Sequence, residues 1–110
     1  HYRTAMLSNI NILHYEYLKK NFPVFEAFDR VFLSFQLGLI KPDKQIYNLV
    51  AQELNVPREE IFYTDDRPEL VESAKSLGFA GSVFSDFNQL IRDLRANGIN
   101  FLPSGTLPPL

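Results

Sequence analysis

Two adjacent carboxylates follow an apolar segment near the middle of the chain. The sequence IFYTDD at 61–66 is typical of a short buried strand that ends in Asp65 and Asp66. Keeping both aspartates ionised at a strand end is costly unless a cation or several hydrogen-bond donors offset the charge. Ligands of open α/β sheets bind at this end of the strands. The pair therefore predicts a metal site, and the alternative is that one aspartate caps the helix that Pro68 opens.

Short apolar strands alternate along the chain with amphipathic helices. This alternation predicts right-handed crossovers and a parallel sheet, so the expected fold class is α/β. The proline-containing residues 100–110 are interpreted as a tail or linker, which leaves residues 1–99 as the domain. The predicted strands are 5–7, 30–33, 61–65 and 81–84, the predicted helices are 12–21, 43–54, 68–77 and 87–96, and residues 34–42 are a predicted loop.

Composition excludes several classes of function. The 110 residues suit one domain, and 45% of them are hydrophobic, which is enough for a core. A formal net charge of -2 gives no basic excess, so we expect neither a nucleic acid nor a membrane as partner. No apolar run approaches the roughly 20 residues that span a bilayer. The absence of cysteine excludes disulfides and fits a reducing compartment, so we expect a globular cytoplasmic protein.

Further polar residues lie where the predicted strands and loops end. Ser8 and Asn9 follow the first strand, and Lys41 precedes the second helix. With the aspartate pair, we expect them to converge on one edge of the sheet. Hydroxyl and amide donors, a lysine cation and carboxylates that bind a hard divalent ion could together hold a phosphoryl group. A nucleophile is not evident among them.

The chain resembles the haloacid dehalogenase-like (HAD-like) hydrolases over about residues 5–84. The resemblance implies a Rossmann-like three-layer α/β/α sandwich and phosphoryl transfer through an aspartyl-phosphate with Mg²⁺ as cofactor. Paired aspartates favour a phosphatase over a dehalogenase, which works without a metal. Three segments have the order and spacing of the family's second, third and fourth motifs: Leu7-Ser8-Asn9, Gly38-Leu39-Ile40-Lys41-Pro42-Asp43, and Thr64-Asp65-Asp66 with Glu69.

The resemblance also implies a role for each motif residue. Ser8 would hydrogen-bond a phosphoryl oxygen, with the backbone of Asn9 beside it. Lys41 would neutralise the phosphoryl group together with the nucleophile. Asp65 would coordinate Mg²⁺, with Asp66 as a second ligand or as support.

Residues 8–14 (SNINILH) further resemble a subgroup of sugar-phosphate phosphatases. In that subgroup His14 would face the mouth of the pocket and contact substrate. The alternative is that His14 is an exposed helix residue with no role. The implied substrate is a small phosphorylated metabolite.

The family's first motif, Asp-x-Asp, does not occur in these 110 residues. In the family it supplies the nucleophile and the general acid/base on the central strand, and its absence would leave a gap with unpaired backbone groups. We therefore expect a C-terminal part of a longer protein, inactive alone, with the missing N-terminal segment as its partner. A second copy that fills the gap, giving a homodimer, is one alternative. Another is a non-catalytic module that uses the fold for binding or assembly.

Overall fold

The chain forms two compact units, His1–Val50 and Ala51–Leu110. The computed structural model describes residues 2–100. The predicted tail at 101–110 lies outside the described residues, and Asn100 follows the last helix without regular structure.

The first unit contains one two-stranded parallel sheet and the helices that follow each strand. Strand β1 (Ala5–Ser8) pairs with strand β2 (Arg30–Leu33), and their last residues, Ser8 and Leu33, lie opposite each other. Phe32 and Leu33 are buried, as are Ile46 and Tyr47 of the third helix. The elements are β1 (Ala5–Ser8), α1 (Ile12–Asn21), a 3₁₀ helix (Pro23–Ala27), β2 (Arg30–Leu33), α2 (Ser34–Leu37) and α3 (Lys44–Leu54). The unit ends at Val50, inside α3.

Local contacts explain where α1 begins and ends. The Asn11 side-chain oxygen Oδ1 accepts a hydrogen bond from the backbone N–H of His14 at 2.8 Å, so Asn11 is the N-cap. At the other end, Phe22 is extended because Pro23 follows it. Both bounds agree with the predicted helix.

The short helix α2 was not expected, because residues 34–42 were predicted to be a loop. A single turn is too short to show helical periodicity in the sequence. The turn is closed by a hydrogen bond from the Gly38 N–H to the Ser34 carbonyl oxygen at 2.9 Å. Gly38 has φ of 70°, a left-handed conformation that glycine adopts readily and that ends the helix.

The second unit contains the other parallel pair. In it, strand β3 (Phe62–Asp65) pairs with strand β4 (Ala80–Val83), and their last residues, Asp65 and Val83, lie opposite each other. Gly81 is required at this pairing, since a Cβ atom there would lie 2.4 Å from the Tyr63 carbonyl oxygen. The elements are a 3₁₀ helix (Arg58–Glu60), β3 (Phe62–Asp65), α4 (Pro68–Ser76), β4 (Ala80–Val83) and α5 (Phe87–Ala96).

The helices of this unit carry the apolar faces and caps that the sequence predicts. Leu70, Val71 and Ala74 of α4 are buried. The Asp86 carboxylate accepts a hydrogen bond from the Gln89 N–H at 2.8 Å and caps α5, as expected. Predicted and observed bounds of the four strands and four long helices agree within one residue.

The expected α/β class with parallel strands is confirmed. Within residues 2–100 the strands form two two-stranded sheets, so pairing is not continuous over the described part of the chain. Of the helices in that part, the longest has 11 residues, and none is long and apolar enough to cross a bilayer.

Candidate functional site

In the first unit, the structure joins Asn9 to Lys41. The Asn9 Nδ2 donates to the Lys41 carbonyl oxygen at 3.1 Å, and the Lys41 backbone N–H donates to Asn9 Oδ1 at 2.9 Å. The two residues are 32 positions apart. Because the side-chain amide satisfies both the donor and the acceptor of one residue's backbone, this contact fixes the Lys41 main chain next to the end of β1.

The loop that carries Asn9 is itself held by Ser34. The Ser34 hydroxyl accepts a hydrogen bond from the Ile10 N–H at 2.8 Å and donates one to the Ile10 carbonyl oxygen at 3.0 Å. Ser34 is only 6% exposed. The register of the sheet explains the contact, since Ser8 and Leu33 are paired and the residues after them continue side by side. Sequence analysis did not identify Ser34 as a site residue.

Two other predicted residues of this unit lie near the same strand end or just beyond it. Ser8 is half-buried as the last residue of β1 and directly precedes Asn9. His14 is exposed in the first turn of α1. The structure therefore brings Asn9 and Lys41 together, with Ser8 adjacent in the chain, and places His14 on an exposed helix.

In the second unit, two neighbours hold the Asp65 carboxylate. The Tyr63 hydroxyl donates to Asp65 Oδ2 at 2.8 Å, and the Arg67 backbone N–H donates to Asp65 Oδ1 at 3.1 Å. Tyr63 reaches Asp65 because alternate residues of a strand share one face. The bond to the N–H two residues ahead makes an Asx turn. Asp65 is half-buried, whereas Asp66 is exposed.

The alternative that one aspartate is the N-cap of α4 is wrong. The N-cap is Arg67, and no side chain makes a capping hydrogen bond there. The aspartates end β3 and form the turn before the helix, so capping does not account for two adjacent carboxylates.

Glu69, the remaining acidic residue of the fourth motif, is engaged by arginine. The Arg67 Nε donates to Glu69 Oε1 at 2.8 Å, and the two side chains are 63% and 56% exposed. A hydrogen bond with its own backbone lowers the pKa of Glu69, and the Arg67 guanidinium lowers it further. Glu69 is therefore ionised at neutral pH, and one of its carboxylate oxygens is already paired with the Arg67 guanidinium.

The donors of the second unit fit Mg²⁺ as an open site. Residues 2–100 contain no group of three or more His, Cys, Asp or Glu that could hold a metal. Mg²⁺, however, is commonly bound by one or two carboxylates and completes its shell with water and phosphate oxygens. Asp65 and Asp66 supply two such carboxylates. A carboxylate oxygen has acceptor sites enough to take a hydrogen bond and a metal together, so the hydrogen bonds from Tyr63 and Arg67 are compatible with Mg²⁺ at Asp65.

Comparison with known proteins identifies the class: the chain belongs to the haloacid dehalogenase-like hydrolases, whose family model matches residues 1–78. Among individual proteins, it is 31% identical over 92 residues to drimenol cyclase drtB of Aspergillus calidoustus, a match that covers 84% of this chain and 17% of that protein. It is 29% identical over 84 residues to D-ribitol-5-phosphate phosphatase of Bacteroides thetaiotaomicron, covering 71% of this chain and 41% of that protein.

A solved structure gives the same assignment. The chain superposes on a wild-type HAD-family enzyme from Bacteroides thetaiotaomicron, crystallised with magnesium and inorganic phosphate, with a TM-score of 0.75 and 27% identity. The match covers 83% of this chain and 50% of that chain. The resemblance drawn from the motifs is thus confirmed for family and fold, and the chain spans about half of this solved relative and less of the two curated ones.

Proposed function

We propose that this chain carries the phosphate-binding and metal-binding residues of a phosphatase that hydrolyses a small phosphomonoester. The observation that carries the proposal is the Asn9–Lys41 contact, because it places the lysine of the third motif at the strand end that carries the second motif. The similarity to D-ribitol-5-phosphate phosphatase and to a structure bound to magnesium and phosphate supports the same reading. A sugar phosphate is the substrate class that residues 8–14 indicate, with His14 at the mouth of the pocket.

Residues of the first unit bind the phosphoryl group in this proposal. The Ser8 hydroxyl and the Asn9 backbone N–H donate hydrogen bonds to phosphoryl oxygens. The Lys41 ammonium neutralises their charge, and charge-assisted hydrogen bonds of this kind are about twice as strong as neutral ones. Donors fixed before the substrate arrives stabilise charge without reorganisation during the reaction.

Residues of the second unit hold the metal. Asp65 and Asp66 would bind Mg²⁺, and Tyr63 and Arg67 keep the Asp65 carboxylate oriented through their hydrogen bonds. Mg²⁺ would supply positive charge, which offsets negative charge in phosphoryl-transfer chemistry.

The nucleophile lies outside these 110 residues in our proposal, since they contain no Asp-x-Asp. An aspartate carboxylate attacks phosphorus, the substrate alcohol leaves with a proton from a general acid, and water then hydrolyses the acyl phosphate. By themselves these residues would bind phosphate without turnover. Half of the matched solved chain lies outside the aligned region.

The test is hydrolysis of p-nitrophenyl phosphate with Mg²⁺ by the complete protein that carries this chain. Lys41→Ala and Asp65→Asn should each lower kcat/KM by about 10² to 10³, the loss typical of removing one group that stabilises transition-state charge. Lys20→Ala and Glu72→Gln, which remove one charge from exposed helix positions, are the controls. Absence of Mg²⁺-dependent hydrolysis, or activity of the site variants equal to the controls, would overturn the proposal.

A further inference from the structure

The residues after β1 form a chain of contacts that ends at Lys41. Ser34 holds both backbone groups of Ile10, and Asn9, the preceding residue, holds both backbone groups of Lys41. All four residues belong to the first unit. We propose that Asn9 is a positioning residue that fixes Lys41 for phosphate binding, and that Ser34 anchors the loop from which Asn9 acts. This inference rests on the proposed function of Lys41.

The Asn9 contact determines where the Lys41 side chain starts. Lysine has a flexible four-carbon stem, so the position of its backbone sets the region that its ammonium group can reach. Two hydrogen bonds in opposite directions restrict both translation and rotation of the Lys41 peptide units. One bond alone would allow the backbone to pivot.

The same contact separates two roles within Asn9. Its side-chain amide is engaged with Lys41, whereas its backbone N–H is the group assigned to the phosphoryl oxygen. The side chain is therefore better explained as support for Lys41 than as a substrate ligand. From the sequence alone, an asparagine at this position is interpreted as a direct phosphate contact. Its contact with Lys41 is not visible there because the two residues are 32 positions apart.

Ser34 supplies the fixed point. Ser34 is a buried residue, and its hydroxyl satisfies the N–H and the carbonyl oxygen of Ile10. Breaking these hydrogen bonds would be unfavourable, because a buried donor or acceptor that loses its partner is not solvated by water in its place. The loop at Ile10 is thereby tied to the end of β2, and Asn9 is presented from a constrained backbone.

A double-mutant cycle in the complete protein tests the role of Asn9. The readouts are the affinity for inorganic phosphate by calorimetry and the separate kcat and KM for p-nitrophenyl phosphate. Asn9→Ala should weaken phosphate binding about tenfold in the wild-type background and have little further effect in a Lys41→Ala background. Asn21→Ala is the matched control: it also loses a side-chain hydrogen bond to a backbone carbonyl, that of Tyr17, and should leave phosphate affinity unchanged.

The outcomes separate this inference from the function on which it rests. Equal losses from Asn9→Ala in both backgrounds would show that Asn9 acts on phosphate directly and would overturn the positioning role alone. Lys41→Ala with wild-type affinity and turnover would overturn both proposals. A loss from Asn21→Ala as large as that from Asn9→Ala would show a nonspecific effect on the fold and would overturn the inference.

Ser34 is tested by comparing its alanine and threonine variants. Ser34→Ala removes the hydroxyl, and we expect weaker phosphate binding together with a lower melting temperature. Ser34→Thr retains the hydroxyl, so phosphate affinity should return toward wild type even if the added methyl group lowers stability. Phosphate affinity unchanged in a folded Ser34→Ala protein, or equally weak in both variants, would overturn the anchoring role.

Discussion

In the first unit the Asn9 amide contacts a residue 32 positions away, whereas in the second unit Asp65 is held by Tyr63 and Arg67, each two positions away. The first arrangement exists only when the chain between residues 9 and 41 has been brought end to end, at a cost in chain entropy. The second needs little more than one strand and the turn after it. The proposed phosphate-binding residues thus depend on tertiary structure, and the proposed metal ligands depend mainly on local structure.

The largest effect on stability should come from a substitution that tests whether the arrangement around Asp65 depends only on local structure. In Gly81→Ala the new Cβ would meet the Tyr63 carbonyl oxygen at 2.4 Å, so β3 and β4 must shift apart. We expect a loss of about 2 to 3 kcal/mol in the free energy of unfolding, the upper part of the range for overpacking, measured by urea denaturation. If strand pairing also positions Asp65, Mg²⁺ affinity will fall in the folded variant.

Gly38→Ala is the control for this substitution. An added Cβ at Gly38 meets nothing within 4 Å, and only its φ of 70° is unfavourable. We expect a smaller loss of about 1 kcal/mol from backbone strain. A cost for Gly81→Ala no greater than that for Gly38→Ala would contradict the steric explanation.

A smaller effect, on metal affinity, should sharpen the comparison. Tyr63→Phe removes the hydroxyl that donates to Asp65 and leaves the hydrogen bond from the Arg67 N–H in place. We expect Mg²⁺ affinity, measured by calorimetry in the presence of inorganic phosphate, to fall about tenfold, as is typical when a residue that orients a metal ligand is lost. Tyr17→Phe, at an exposed position of α1, should change nothing. Equal affinity of both variants would show that the hydroxyl does not orient Asp65.

The smallest effect concerns Glu69 and pH. The folded-state pKa of Glu69 lies below its ordinary value of 4.5, chiefly because of a hydrogen bond with its own backbone and then because of Arg67. Its contribution to stability is therefore present above pH 4.5 and lost as the pH falls through the lowered pKa. The contribution is small because both partners are exposed.

The measurement for Glu69 is the melting temperature of Glu69→Gln relative to wild type. A slight decrease at pH 7 should disappear at the lowest pH at which the wild-type protein remains folded. Glu72→Gln on the same helix is the control. A difference that persists in acid would indicate a packing effect of the substitution rather than the charge.

The contrast between the units also explains what could be predicted from sequence. Asp65 and Asp66 were identifiable because a strand pattern leads directly into them, and the Tyr63 contact could have been found from the two-residue period of a strand. The bounds of the long helices and strands followed from periodicity, proline and caps. Lys41 was identified from its motif. Its contact with Asn9 was not predicted, because no local sequence pattern indicates which distant backbone group a side-chain amide will bind.

Ser34 and α2 were missed for a related reason. The hydroxyl of Ser34 acts on Ile10 only because β1 and β2 pair with Ser8 opposite Leu33, and register is a property of two strands together. Reading along the chain shows Ser34 as one more polar residue after a strand.

The contact between Asn9 and Lys41 involves only main-chain atoms of the lysine. These two hydrogen bonds therefore do not depend on which side chain stands at position 41, and we expect both to persist when that side chain is exchanged. Charge, length and shape at this position can be varied one at a time, for example by alkylating a cysteine introduced there into a lysine analogue with a shifted amine pKa. For protein engineering, position 41 is therefore a place where different side chains can be compared while both hydrogen bonds to Asn9 are retained.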